Sequence, residues 1–295
     1  MTQQLAGILL PVFIVTGVGF LWCKFKMPME RDSFTRLVMN VATPCLVLDS
    51  VSKLTFPVAE FVTMLAGAVA LLTGSALGGA IILKLFRLPR HSFLPALTFG
   101  NAGNMGLPLC LFAFGEQGLG LAAAVYLVAV VTQFTLVPTL QDRQPPLRTL
   151  FTTPVVYGAT VGVALLATGT RLPGWLDTTV GLLGDIAIPL SLLILGFCLA
   201  ELRIKRASLA VGLGLSRLLL GFGVALAVSH LLGLTGIARG VLVLQGGMPT
   251  AVFSYLLSAR YDRDPEDVAG IVLVSTLISA ASLPFLVSYV LWISN

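Results

Sequence analysis

Charge is what this chain has least of. Only 11% of its 295 residues are Asp, Glu, Lys or Arg, while 57% are hydrophobic; a soluble domain carries roughly 25% charge. No polar stretch is long enough to make a soluble domain, so the chain reads as a polytopic membrane protein. Its four cysteines, Cys23, Cys45, Cys110 and Cys198, lie far apart in or beside apolar runs, which excludes a zinc cluster or a disulfide framework. No Gly-x-Ser-x-Gly nucleophile motif occurs. Gly184-Asp185 lacks the Gly-x-Gly-Asp form of an intramembrane aspartyl enzyme, and no ring of charges suggests a channel. The chain is therefore not expected to be an enzyme, and no cofactor or metal is expected. No basic region precedes the apolar run at Leu5 and no small-residue cleavage site follows it before Cys23, so that run is read as a retained span.

What is present is a series of apolar runs. Ten spans can be drawn, at 5–22, 34–54, 61–84, 93–114, 118–138, 153–170, 175–200, 208–232, 237–259 and 267–291. A bilayer crossing takes about 20 apolar residues. The loops after the odd-numbered spans hold Lys24, Lys26, Arg31, Lys84, Arg87, Arg90, Arg143, Arg148, Arg203, Lys205, Arg206, Arg260 and Arg263; the opposite side holds only Lys53, Arg171 and Arg239. That bias places the odd-numbered loops in the cytoplasm and both termini outside, in a plasma (inner) membrane protein. It also explains the net charge of +5 without a nucleic-acid partner. Trp22, Trp175 and Trp292 fall at span ends, where interfacial aromatics belong.

Two spans contain residues that a continuous helix would avoid. Span 4 carries Gly100-Asn101-Ala102-Gly103-Asn104-Met105-Gly106-Leu107-Pro108, and span 9 carries Gln245-Gly246-Gly247-Met248-Pro249-Thr250. Glycine costs about 1 kcal/mol in a helix interior and proline about 3, so both helices should break near mid-membrane. The halves also repeat: Pro44 and Pro189 are 145 residues apart, Pro11 and Pro154 are 143, and Pro108 and Pro249 are 141. Five spans per copy is an odd number, so the second copy would enter the membrane inverted. The expected fold is thus all-α, with ten transmembrane helices in two inverted repeats, 1–140 and 153–295, joined by a cytoplasmic linker at 141–152. Broken helices 4 and 9 would cross at the midplane. Each second half-helix, beginning at a proline, would turn its N–H groups and positive dipole end toward the midplane, which suits an anion such as a carboxylate. The expected substrate residues are Asn101, Asn104, Gly106 and Pro108 from the first break, and Gln245, Gly247, Pro249 and Thr250 from the second.

The Gly-Asn-Ala-Gly-Asn-Met-Gly-Leu-Pro stretch at 100–108, the Met-Pro-Thr-Ala stretch at 248–251, and the span count resemble the auxin efflux carrier family, over essentially the whole chain. That family includes bacterial permeases for malate and malonate and the plant auxin carriers, whose long cytoplasmic loop is absent here. The resemblance implies that spans 1, 2, 6 and 7 form a scaffold and spans 3–5 and 8–10 an elevator-like transport unit. It also implies a homodimer joined through the scaffold and a site at the crossing, with Asn104, Pro108 and Pro249. Asn104, closest to Gly106 and Pro108, is the expected direct ligand, with Asn101 holding the break.

Few ionisable residues lie inside spans, and each is a functional hypothesis. Asp49 and Lys53 are four apart and share a helix face; by resemblance, Gln133 would join them as a support cluster beside the site. Asp185 and Arg217 lie inside spans 7 and 8 at depths that differ by several Å, which a long Arg could bridge, and are read either as a structural ion pair or as a proton carrier and an anion ligand. A small carboxylate carrier, coupled to a proton or sodium ion or uncoupled, is the leading function. The alternative is a sodium-coupled bile-acid-type symporter, against which both breaks lack Asp and Glu.

Overall fold

The computed structural model describes residues 2–54, 57–142 and 154–294. The expected linker lies outside the described residues from 143 onward. The helices are α1 (Thr2–Lys24), α2 (Arg31–Leu37), α3 (Thr43–Ser52), α4 (Val58–Leu85), α5 (Arg90–Thr98), α6 (Leu107–Asp142), α7 (Pro154–Thr168), α8 (Gly174–Asp185), α9 (Ala187–Glu201), α10 (Ala207–Leu231), α11 (Gly236–Gly246), α12 (Val252–Arg260) and α13 (Pro265–Ser294). π-Helical turns at Val38–Ala42 and Ala102–Gly106 precede α3 and α6. Among the described residues, seven helical segments are long and apolar enough to cross a membrane: Leu5–Lys24, Ser33–Ser52, Val58–Leu85, Ala102–Gln133, Gly174–Glu201, Ala207–Leu231 and Pro265–Ser294. Pro154–Thr168 is apolar but shorter. The stretch read as span 9 is a pair of short helices, α11 and α12, and that read as span 4 is divided between α5 and the start of α6.

Local sequence explains the interruptions. Gly115 adopts φ 65°, ψ −159° inside α6, a conformation open to glycine at little cost, and it turns the chain between the stretches read as spans 4 and 5. The related motifs Asn40–Pro44 and Asp185–Pro189 are both irregular. The first falls on the Val38–Ala42 π turn, with a proline in the first turn of α3; the second falls on the boundary between α8 and α9.

The helices pack in two groups. In one, α1 lies along α9, and α3 is held between α7 and α8. In the other, α10 packs on α13, α11 and α4, while α6 packs on α4 and α11. Within the first group, glycines bring backbones together. A Cβ at Gly196 would collide with the Thr16 carbonyl, one at Gly19 with the Leu193 carbonyl, and one at Gly158 with the Pro44 carbonyl. Lipid offers no hydrophobic drive between helices, so close packing of small residues supplies much of the association. The contact between groups is thinner. It consists mainly of α3 and α1 on α6, and α9 on the Ala102–Gly106 turn.

Candidate functional site

The two interrupted helices meet at their breaks. α5 ends at Thr98 and α11 at Gly246, and the links that follow pair as a short antiparallel bridge between Gly100 and Thr250. Asn101 N–H donates to the Pro249 carbonyl at 2.7 Å, and Ala251 N–H to the Phe99 carbonyl at 3.0 Å. Thr250 adds two bonds: its N–H donates to Ser275 Oγ at 3.2 Å and its hydroxyl to the Ala96 carbonyl at 3.0 Å. Backbone groups freed by a broken helix are costly if buried unpaired; the bridge pairs some of them with each other. One expectation is corrected here. Pro249 does not start the second half-helix: α12 begins at Val252, because Pro249 to Ala251 are extended against the other link. In the first break, Pro108 is the second residue of α6.

A cavity of about 60 Å³ lies between the two helix groups. Asn104, Gly103 and Leu107 line it from the first break, and Val252, Phe253 and Leu256 from the start of α12. Thr35, Thr43 and Leu46 face it from α2 and α3, Ser191 and Cys198 from α9, and Tyr126 from α6. The first residues of both second half-helices therefore border one space. Its polar lining is neutral, made of hydroxyls, an amide and a thiol, and none of its lining residues is Asp, Glu, Lys or Arg. An anion there would meet two positive helix ends and neutral donors.

Of the eight substrate residues expected from sequence, the structure brings Asn104 to the cavity surface. Asn101, Gly106, Pro108, Gln245, Gly247, Pro249 and Thr250 are buried behind it. The Gln245 carboxamide lies against Gly106, where a Cβ would collide with it. Tyr126, Thr43 and Ser191 were not singled out from sequence. Tyr126 had a signal, a lone hydroxyl within the apolar stretch Leu121 to Val130; its ring rests on Gly103, where a Cβ would collide with it.

The ionisable residues separate. Lys53 Nζ pairs with Asp49 at 2.6 Å and approaches Asp177 of α8 at 4.0 Å. Gln133 does not join them: it donates to Ser254 Oγ at 3.3 Å. Gly120, on the same helix, already lies beside Leu54 and Ser50, and 13 further residues carry Gln133 about 20 Å along α6. The expected Asp185–Arg217 ion pair is absent as well. Asp185 is exposed at the end of α8 in the first group. Arg217 is 2% exposed in α10 of the second group, where its guanidinium donates to the carbonyls of Leu97, at 3.3 Å, and Gly246, at 3.4 Å. It does not line the cavity, so it is not placed as an anion ligand.

Apolar helices, two of them broken and joined at their breaks beside a neutral polar cavity, fit a membrane transporter. The family model described as "Membrane transport protein" matches residues 6–145 and 143–287. The chain belongs to this family, which includes the auxin efflux carriers. It is 28% identical to an "Uncharacterized transporter" of Methanothermobacter thermautotrophicus, covering 93% of this chain and 95% of the relative. It is 24% identical to a protein of Rhizobium meliloti named "Putative malonate transporter", covering 95% and 94%. An "Uncharacterized transporter" of Methanocaldococcus jannaschii is 23% identical over 92% and 94%.

Proposed function

We propose that this protein carries a small organic anion, of the mono- or dicarboxylate class, across the membrane by alternating access. The observation that carries this reading is the cavity bordered by the N-terminal residues of both α6 and α12. N-termini of half-helices at mid-membrane favour anionic groups through their dipoles and N–H donors, and Asn104 adds an amide donor. The printed name of the Rhizobium relative points to the same substrate class.

The remaining architecture is proposed on the same basis. Ten spans in two inverted repeats would place the bridged breaks at a crossing near the bilayer centre. The group containing α1, α3, α7, α8 and α9 would serve as scaffold and dimer interface, and the other group would move against it in an elevator-like step. The thin contact between groups and the cavity lying in it support this division. The basic loops support a cytoplasmic position for the odd-numbered loops, with both termini outside.

Uptake of labelled mono- and dicarboxylates into proteoliposomes, with imposed proton or sodium gradients, tests the function. Saturable uptake of at least one carboxylate is expected. Transport of neutral or cationic solutes alone would overturn the reading, and strict sodium dependence would favour the symporter alternative. A monomeric mass in lipid would remove the dimer.

A further inference from the structure

The C-terminal ends of the first half-helices raise the opposite electrostatic question from the cavity. α5 and α11 both stop at the crossing, so two negative dipole ends converge in apolar surroundings. Each helix C-terminus is equivalent to about −0.5 elementary charge, so two together offset roughly one positive charge. In transporters with broken helices, converging half-helix carbonyls of this kind coordinate a coupling cation.

We infer that Arg217 is a resident cation at the crossing, its tethered guanidinium occupying the place between the two helix ends that a sodium ion would otherwise take. Nη1 donates to Leu97 and Nη2 to Gly246, one carbonyl from each half-helix. Among the described residues no carboxylate pairs with it: Asp267 pairs with Arg206 and Asp49 with Lys53, and Asp185 lies in the other helix group. An unneutralised arginine at this depth would be costly, so the helix ends are its counter-charge. The fold makes room for it with glycines. A Cβ at Gly100 or Gly221 would collide with the guanidinium. Because the charge is covalently held, it cannot be released with each cycle, and the carrier has no sodium to move at this position.

This inference rests on the transporter reading, but its test does not need transport. Melting temperatures of the purified full chain are compared in sodium chloride and choline chloride. The wild type should melt alike in both. Arg217→Gln, which keeps amide donors and loses the charge, should melt several degrees lower and gain a saturable stabilisation by sodium or by low-millimolar guanidinium, but not by choline. Arg217→Lys should melt between the two and stay insensitive to sodium. Saturable sodium stabilisation of the wild type would overturn the inference. So would an Arg217→Gln variant that melts like the wild type, or one that is destabilised yet blind to every small cation. Should the neutral variant not fold, the lysine variant decides: a folded, sodium-insensitive protein supports a role for the charge, and loss of folding there too assigns Arg217 to packing alone. If no carboxylate is carried while these melting results hold, the proposed function fails and the resident cation stands.

Discussion

The two breaks look alike in sequence and differ in what they present. In the first, the chain leaves α5, crosses the bridge at Gly100, and winds through the wide Ala102–Gly106 turn before α6 begins. That turn leaves Gly103 and Asn104 half-buried at the cavity. In the second, Gly247 to Ala251 are all buried, and α12 starts without a π turn. Thr250 is spent on fastening the links, its hydroxyl donating to the Ala96 carbonyl and its N–H to Ser275 Oγ. One break therefore presents an amide to the cavity and the other fastens the pair. π turns recur at functional sites because the extra residue per turn re-aims side chains, and here the residue re-aimed is Asn104.

The largest effect should come from wedging the fastened side apart. A Cβ at Gly221 would collide with the Gly246 carbonyl as well as the Arg217 guanidinium. Overpacking of a closed interior typically costs 1–3 kcal/mol, at times more. Gly221→Ala should lower the melting temperature sharply or abolish monodisperse protein. Gly212→Ala, on the same helix with nothing within 4 Å of its Cβ, should behave like the wild type. Equal behaviour of the two variants would mean that the second break tolerates movement and is not the fastener.

Next comes the ligand side. Hydrogen bonds to a charged group contribute about 1.5–3 kcal/mol each, so Asn104→Ala should weaken the apparent binding constant for the carried carboxylate by roughly tenfold or more. Folding should be preserved, because Asn104 faces the cavity rather than the crossing. Thr250→Val asks the reverse. It removes the hydroxyl bond to Ala96 at nearly constant shape, and a neutral buried hydrogen bond is worth about 0.5–1.5 kcal/mol. Its melting temperature should fall modestly with the binding constant unchanged. If Thr250→Val shifts binding and Asn104→Ala shifts only stability, the assignment of roles to the two breaks is reversed.

How much of this could be read from residues follows the same division. Covalent constraint was legible: the clustered glycines with Pro108 and Pro249 disfavour continuous helices, and both helices are interrupted in these stretches. The direction of each side chain was not. Asn101 and Asn104 are three apart and would share a helix face, but the π turn separates them, sending one into the bridge and the other to the cavity. The Asp185–Arg217 pairing failed because depth along a span says nothing about which helices adjoin. Arg217 found carbonyl partners from two segments 120 and 29 residues away, a contact no spacing rule reaches. Gln133 was placed by resemblance, and its helix carries it past the pair it was expected to join.

The smallest effect is expected farthest from either break, at the Asp49–Lys53 pair. Asp49 is one turn beyond Leu46, the last residue of α3 to line the cavity, so it sits about 4.5 Å farther along the helix axis. Lys53 is 46% exposed, and its second acidic neighbour is Asp177, on α8 of the same helix group. The pair thus ties α3 to α8 near the span end, inside one group, and does not bridge the surface along which the groups would move. Exposed ion pairs are worth about 0–1 kcal/mol, with i,i+4 pairs near 0.3–0.5. A double-mutant cycle on melting with Asp49→Asn and Lys53→Met should return a coupling below about 1 kcal/mol. Uptake by each variant should stay close to wild type at equal surface expression. If either variant loses uptake as severely as Asn104→Ala while melting normally, polar recognition is not concentrated at the first break, and the pair belongs to the site after all.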